Sequence, residues 1–184
     1  MALRSSCKWL GLMMLLLCTA TASATDLDEM SGQHAFFNRL LTLCDASFSG
    51  QSSFPNDKND PFAGKELRAT LKHCTPEEIR IPFAVGEERS RTWLLRWQQG
   101  RLELKHDHRH EDGTPDEVTM YGGLASDSGS ALQQSFPADA HTAKLIPAAA
   151  TNVWALSLNE QGTELTYYLE RDGKPRFKAT LIRQ

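Results

Sequence analysis

Three of the six histidines in this chain fall at alternate positions, in the run His106-Asp107-His108-Arg109-His110. In an extended chain, residues two apart point to the same side, about 6.6 Å apart along the strand. The trio then shares a face with Leu102 and Leu104, and by the same parity His73 shares a face with Leu67 and Leu71. Neutral imidazole binds zinc or copper, with ring nitrogens about 2.0 to 2.1 Å from the ion. Neighbouring members of the trio can converge on one ion, whereas His106 and His110, about 13 Å apart, cannot. A metal centre built on His106, His108, His110 and His73 therefore needs a His-x-His pair plus a third donor, with His73, His141, Glu111 and Asp139 the candidates. The competing reading is a solvated strand end running into the polar turn Glu111-Asp112-Gly113-Thr114-Pro115-Asp116, with Asp107 and Arg109 pairing with other charges on the outer face. That turn lacks the spacing of a calcium-binding EF-hand loop.

A second group of residues suits a small organic ligand. Arg91, with Glu87, Glu88, Arg89, Arg80 and Arg96 around it, forms either an anion-binding rim or an ordinary solvated set of charge pairs. Trp93 and Trp97, with Trp154, Tyr167 and Phe177, either line a cavity or fill a core. Motifs for acyl transfer through a GxSxG elbow, for an HExxH zinc helix, for phosphate cradling and for dinucleotide binding are all missing. This favours binding over catalysis, with a histidine general base as the enzymatic alternative.

The elements that must position these residues are mostly strands. Phe36, Phe37, Leu40, Leu41 and Leu43 recur at helical spacing and predict a short helix within 31–43. Residues 45–62 are rich in Ser, Asn, Asp, Gly and Pro and read as a loop around at most one short strand near Phe48. From Leu67 the period becomes two. Strands are expected at 67–72, 79–85 and 93–97, from Leu102 through the histidines, and at 117–121, 131–136, 152–158, 164–170 and 175–182. Pro82 marks an edge or a bulge. Gln99-Gly100 and Asp172-Gly173 mark tight hairpin turns. About nine or ten short strands joined in succession imply a mainly β fold, an antiparallel up-and-down barrel with a short N-terminal helix.

Residues 1–24 have the three parts of a secretory signal peptide: Arg4 and Lys8, the apolar run Trp9 to Cys18, and the small residues Ala22-Ser23-Ala24. Cleavage near Ala24 leaves a single domain over 25–184 that is secreted or periplasmic, and no later segment approaches the roughly 20 apolar residues of a membrane span. Cys44 and Cys74 are then the remaining cysteines, and export makes them a disulfide. Removing Arg4 and Lys8 changes 20 basic against 23 acidic residues to 18 against 23, a net charge of −5. Such an acidic balance argues against a nucleic-acid partner.

The succession of hairpins resembles the calycin-like architecture of lipocalins and fatty-acid-binding proteins, although the Gly-x-Trp signature of the first lipocalin strand is absent. The stretches IRIPFAVGEERSRTW and LKHDHRHEDGTPDEVTMYGG resemble an uncharacterised family of small secreted bacterial proteins. The resemblance implies export and a shared barrel, and no activity. Three functions follow as expectations: an exported binding protein holding a small ligand or a transition metal near a histidine-lined barrel mouth, a histidine-dependent hydrolase or isomerase, and an interaction module of the cell envelope.

Overall fold

The alternation that begins at Leu67 is realised as a nearly closed barrel of ten antiparallel strands. The computed structural model describes residues 32–184, so the leader reading over 1–24 lies outside the described residues. A helix, α1 (Gly32–Leu41), precedes β1 (Ser47–Phe54), β2 (Leu67–Thr70), β3 (Glu78–Val85), β4 (Glu88–Gln98), β5 (Arg101–His108), β6 (Tyr121–Leu124) and β7 (Gln133–Pro137). A second helix, α2 (Ala140–Leu145), and a 3-10 turn at Pro147–Ala149 lead into β8 (Asn152–Leu158), β9 (Glu164–Arg171) and β10 (Lys174–Arg183). The strand order is β6-β5-β4-β3-β2-β1-β10-β9-β8-β7, so every neighbour is adjacent in sequence except the β1–β10 pair. Among the described residues, no helix is long and apolar enough to cross a membrane.

Closure depends on the seam between β6 and β7. Asp139 N–H donates to the Gly122 carbonyl at 2.9 Å and Ser126 N–H to the Ser135 carbonyl at 2.8 Å. The Thr142 hydroxyl accepts from Gly122 N–H at 2.8 Å and donates to Gly122 O at 2.9 Å, which satisfies backbone groups at the β6 edge. A Cβ on Gly123 would lie 2.0 Å from the Pro137 carbonyl oxygen, so only glycine lets the two edges approach this closely.

One end of the barrel is plugged. α1 buries Phe36, Phe37 and Leu40, and its Gln33 side chain accepts from Leu102 N–H at 2.8 Å. Trp97, at the end of β4, stacks on His34 with ring centroids 3.9 Å apart and meets Phe37 edge-on. Cys44 and Cys74 are bonded to each other and tie the end of α1 to the β2–β3 connection across 30 positions. Closing a loop of that length contributes roughly 3 to 4 kcal/mol by the chain-entropy estimate.

Several expectations are corrected in detail. The short strand expected near Phe48 extends over the whole of 47–54, because β2 and β10 supply hydrogen-bonding edges on both sides, and Gly50 lets β10 pack closely against it. The strand placed at 117–121 begins only at Tyr121: Asp116 captures Val118 N–H at 2.8 Å, and Met120 turns with φ 57°. Pro82 sits inside β3, opposite Thr92 of β4, and not at a sheet edge. It lies where the β2–β3 ladder breaks, between Ala69↔Phe83 and the bridge Lys72↔Arg80. Both tight turns form where expected, with positive φ at Gln99, Gly100, Asp172 and Gly173.

Candidate functional site

The end of the barrel opposite α1 holds a cavity of about 350 Å³. The hairpin directions put it there, since β5 starts at the plugged end and carries its last residues to the mouth, while β4 and β8 start near the mouth. Trp93, Trp154, Tyr167 and Phe83 form much of its wall. Trp93 lies 4.4 Å from Phe83 and 4.5 Å from Tyr167, centroid to centroid.

His106 and His108 both line this cavity, in different states. His106 is 3% exposed and stacks on the Tyr121 ring at 4.6 Å with an interplanar angle of 10°. Its Nδ1 lies 3.2 Å from the Tyr121 carbonyl, which can only accept, so Nδ1 carries the hydrogen. Burial holds the ring's pKa down at about 3, and the ring is therefore neutral. Nε2 must then accept, and it does so from the Tyr167 hydroxyl at 2.9 Å. Burial also pushes the Tyr167 phenol well above its ordinary pKa and Tyr121 up to about 12. His108, half-buried at the mouth, meets the Tyr121 hydroxyl at 3.0 Å. Burial, then the charge of Arg91, lowers its pKa, with Asp116 and Asp107 opposing.

The four histidines do not assemble into one centre. Strand β5 ends at His108, and His110 turns outward into the loop, its N–H bonded to the Thr114 carbonyl at 2.9 Å. Strand β2 ends at Thr70, and His73 adopts φ 45° one residue before the disulfide, which ends the alternation and leaves it exposed on the outside. The other proposed donors are dispersed as well. His141 and Glu111 are exposed, and Asp139 caps α2 and pairs with Lys105 on the outer wall. Among the described residues, the metal-capable trio is the surface group His110, Asp116 and Glu117, and neither His106 nor His108 belongs to it. Both ring nitrogens of His106 are already engaged within the protein.

Nor does a catalytic pair form. Among the described residues no carboxylate is bonded to His106 or His108, and Asp107 faces the outer wall, holding Arg109 at 3.0 Å and the Thr119 hydroxyl at 3.3 Å. The ligand-binding expectation divides: Arg91 and Trp93 line the cavity, while Trp97 lies at the plugged end against α1.

Among the cavity residues that the sequence reading leaves out, four bear most on the site. Tyr121 opens β6, which was placed too early in the chain. Arg171 was legible, because it shares parity with Tyr167 and Leu169 and so continues their face to the strand end. Arg176 was not, since a register shift between Pro175 and Phe177 brings it to the cavity alongside Phe177, against strict alternation. Phe62, from the β1–β2 loop, packs on Phe177 at 4.9 Å and lies 5.7 Å from the Arg91 guanidinium. No family model, no curated protein and no solved structure matches the chain, so the calycin resemblance rests on strand order alone.

Proposed function

We propose that this is an exported binding protein whose barrel mouth holds a small molecule with a largely apolar, ring-sized body. The observation that carries the reading is the cavity of about 350 Å³ walled by Trp93, Trp154, Tyr167 and Phe83. A barrel serving only as scaffold or docking block needs no void, and aromatic walls around a concave site are the usual lining of small-ligand pockets. The volume corresponds to about a dozen waters at roughly 30 Å³ each. That is room enough for one or two fused rings. Export is supported by the Cys44–Cys74 bond together with the signal-peptide pattern ending near Ala24.

The geometry favours binding over hydrolysis or isomerisation. His106 accepts from a phenol and donates to a carbonyl, so it has no carboxylate to orient it as a base. It serves as a rigid polar element of the wall, with its hydrogen bonds fulfilled before any ligand arrives.

Titration of the purified protein with 2-naphthamide, followed through the fluorescence of Trp93 and Trp154 in a Trp97→Phe background, tests the reading. Saturable quenching that Trp154→Ala removes is expected. No saturable change with this neutral probe or with its carboxylate counterpart, and no small molecule co-purifying in native mass spectrometry, would overturn it.

A further inference from the structure

Resting on the ligand-binding reading above, we infer that the ligand is a small organic anion, its ring system held between the cavity's aromatic walls and its acidic head group received by Arg171 and Arg176, with Arg91 on the facing wall. The chain is acidic, yet the cavity lining carries three arginines against a single acidic residue, Asp60. Charge has been concentrated here against the overall trend.

The three guanidinium groups are not equivalently occupied. Arg91 is paired with Glu88, which lies outside the lining. Arg171 donates from Nε to the neutral Asn152 Oδ1 at 2.7 Å, which fixes the direction of its fork and leaves its terminal nitrogens free of any described carboxylate. Arg176 has no ion pair among the described residues and is exposed at the rim. Asp172, the acidic residue beside Arg171, is turned to the Thr151 hydroxyl at 2.7 Å. Asp60 uses its carboxylate to accept Phe62 N–H at 2.9 Å. Two guanidinium groups that line one small site, Arg171 held by a neutral partner and Arg176 at the exposed rim, suit the planar geometry of a carboxylate and equally accommodate a phosphoryl or sulfonyl group.

The depth of the site carries no charge to satisfy. His106 is neutral and internally hydrogen-bonded, and the Tyr121 and Tyr167 phenols keep their protons. An ionised head group pushed inward would be desolvated without a counter-ion. Polarity therefore rises from the aromatic floor to the cationic rim, and it orients the ligand with its body inward and its head outward.

The test compares 2-naphthoate with neutral 2-naphthamide by calorimetry on the oxidised protein, alone and in the presence of millimolar inorganic phosphate. The carboxylate should bind at least about 10-fold tighter than the amide, each charge-assisted pair being of that order or stronger. The double change Arg171→Gln and Arg176→Gln should bring the two affinities together by weakening the carboxylate more than the amide. Arg176→Gln alone, at an exposed position that tolerates substitution, should lower naphthoate affinity several-fold without shifting the melting temperature. Equal affinities for the two probes would overturn this inference and leave the binding reading standing. Inorganic phosphate binding as tightly as naphthoate would overturn it in favour of a bare inorganic-anion site, since the ring would then contribute nothing. Failure of both probes to bind would overturn the inference and the binding reading together.

Discussion

The two ends of the barrel are built from the same residue types and do different things with them. On β4, Trp93 and Trp97 are four residues apart and share a face, yet Trp97 is sandwiched by His34 and Phe37 while Trp93 walls a cavity. What separates them is the presence of α1, which fills one end with Phe36, Phe37 and Leu40. At the other end the opening is bordered by Ile146 and Ala149 of the segment after α2, by the loop residue Phe62 and by a set of arginines. The sequence spacing of aromatic residues thus establishes which face they occupy. Whether that face is packed or vacant depends on what covers the barrel end.

The comparison is broken most forcefully at the plugged end. Phe36 is fully buried. Phe36→Ala is expected to cost about 3 to 5 kcal/mol, the range for deleting a large aromatic side chain from a core. For a domain of this size the melting temperature should fall by roughly 10 °C. Because the cavity is at the far end and shares no residues with this contact, probe affinity at the mouth should stay within about twofold of wild type. A parallel loss of affinity measured below the new melting transition would mean that the two ends are energetically one unit.

The mouth has its own signature in acid. The folded pKa of His106 is depressed to about 3, against about 6.5 in an unfolded chain. At pH 7 the ring is neutral in both states and contributes no pH dependence. As pH falls below about 6.5, the unfolded chain takes up a proton that the folded protein refuses, and stability declines by at most about 1.4 kcal/mol per pH unit until the folded pKa is reached. Between pH 6.5 and 5 this amounts to about 1.6 kcal/mol. Denaturant titrations across that interval should show the decline, and His106→Phe should flatten it while lowering stability at pH 7 by about 1 to 3 kcal/mol, since Tyr167 and the Tyr121 carbonyl lose their partner. An unchanged slope in the variant would show that the ring is accessible to protons in the folded state.

Most of the barrel was legible from alternation and turn chemistry, because hydrophobic periodicity and hairpin dipeptides act over a few residues. Asn152–Leu158 and both tight turns needed nothing further. The failures are long-range in origin. Residues 47–54 have a weak strand composition and are held by two neighbouring edges that no local pattern reveals. The cavity was only partly legible. Arg171 follows from parity with Tyr167, but Arg176 depends on a bulge, and Tyr121 depends on where an Asx turn at Asp116 ends. The histidine line ends early at both extremities for a common reason: alternation holds only while the chain stays extended, and it stops at His73, with φ 45°, on one side and at His108 on the other.

That last point yields the smallest expected effect, and it sharpens the contrast between inner and outer histidines. His73 and His110 are exposed, and the nearest charged partner of His110, Glu117, lies 3.8 Å away with its own side chain in solvent. Such pairs contribute little, and surface substitutions away from caps and cores usually change stability by less than about 0.5 kcal/mol. His73→Ala and His110→Ala should each leave the melting curve and 2-naphthoate affinity essentially where they were, whereas His106→Phe alters stability and its pH slope. The informative control is the pair rather than either variant alone, since His110 is two residues past His108 and would share its fate had β5 continued. If His110→Ala weakened probe binding as much as substitution at the mouth, the strand would extend further in solution than His108, and the boundary between lining and loop would have to move outward with it.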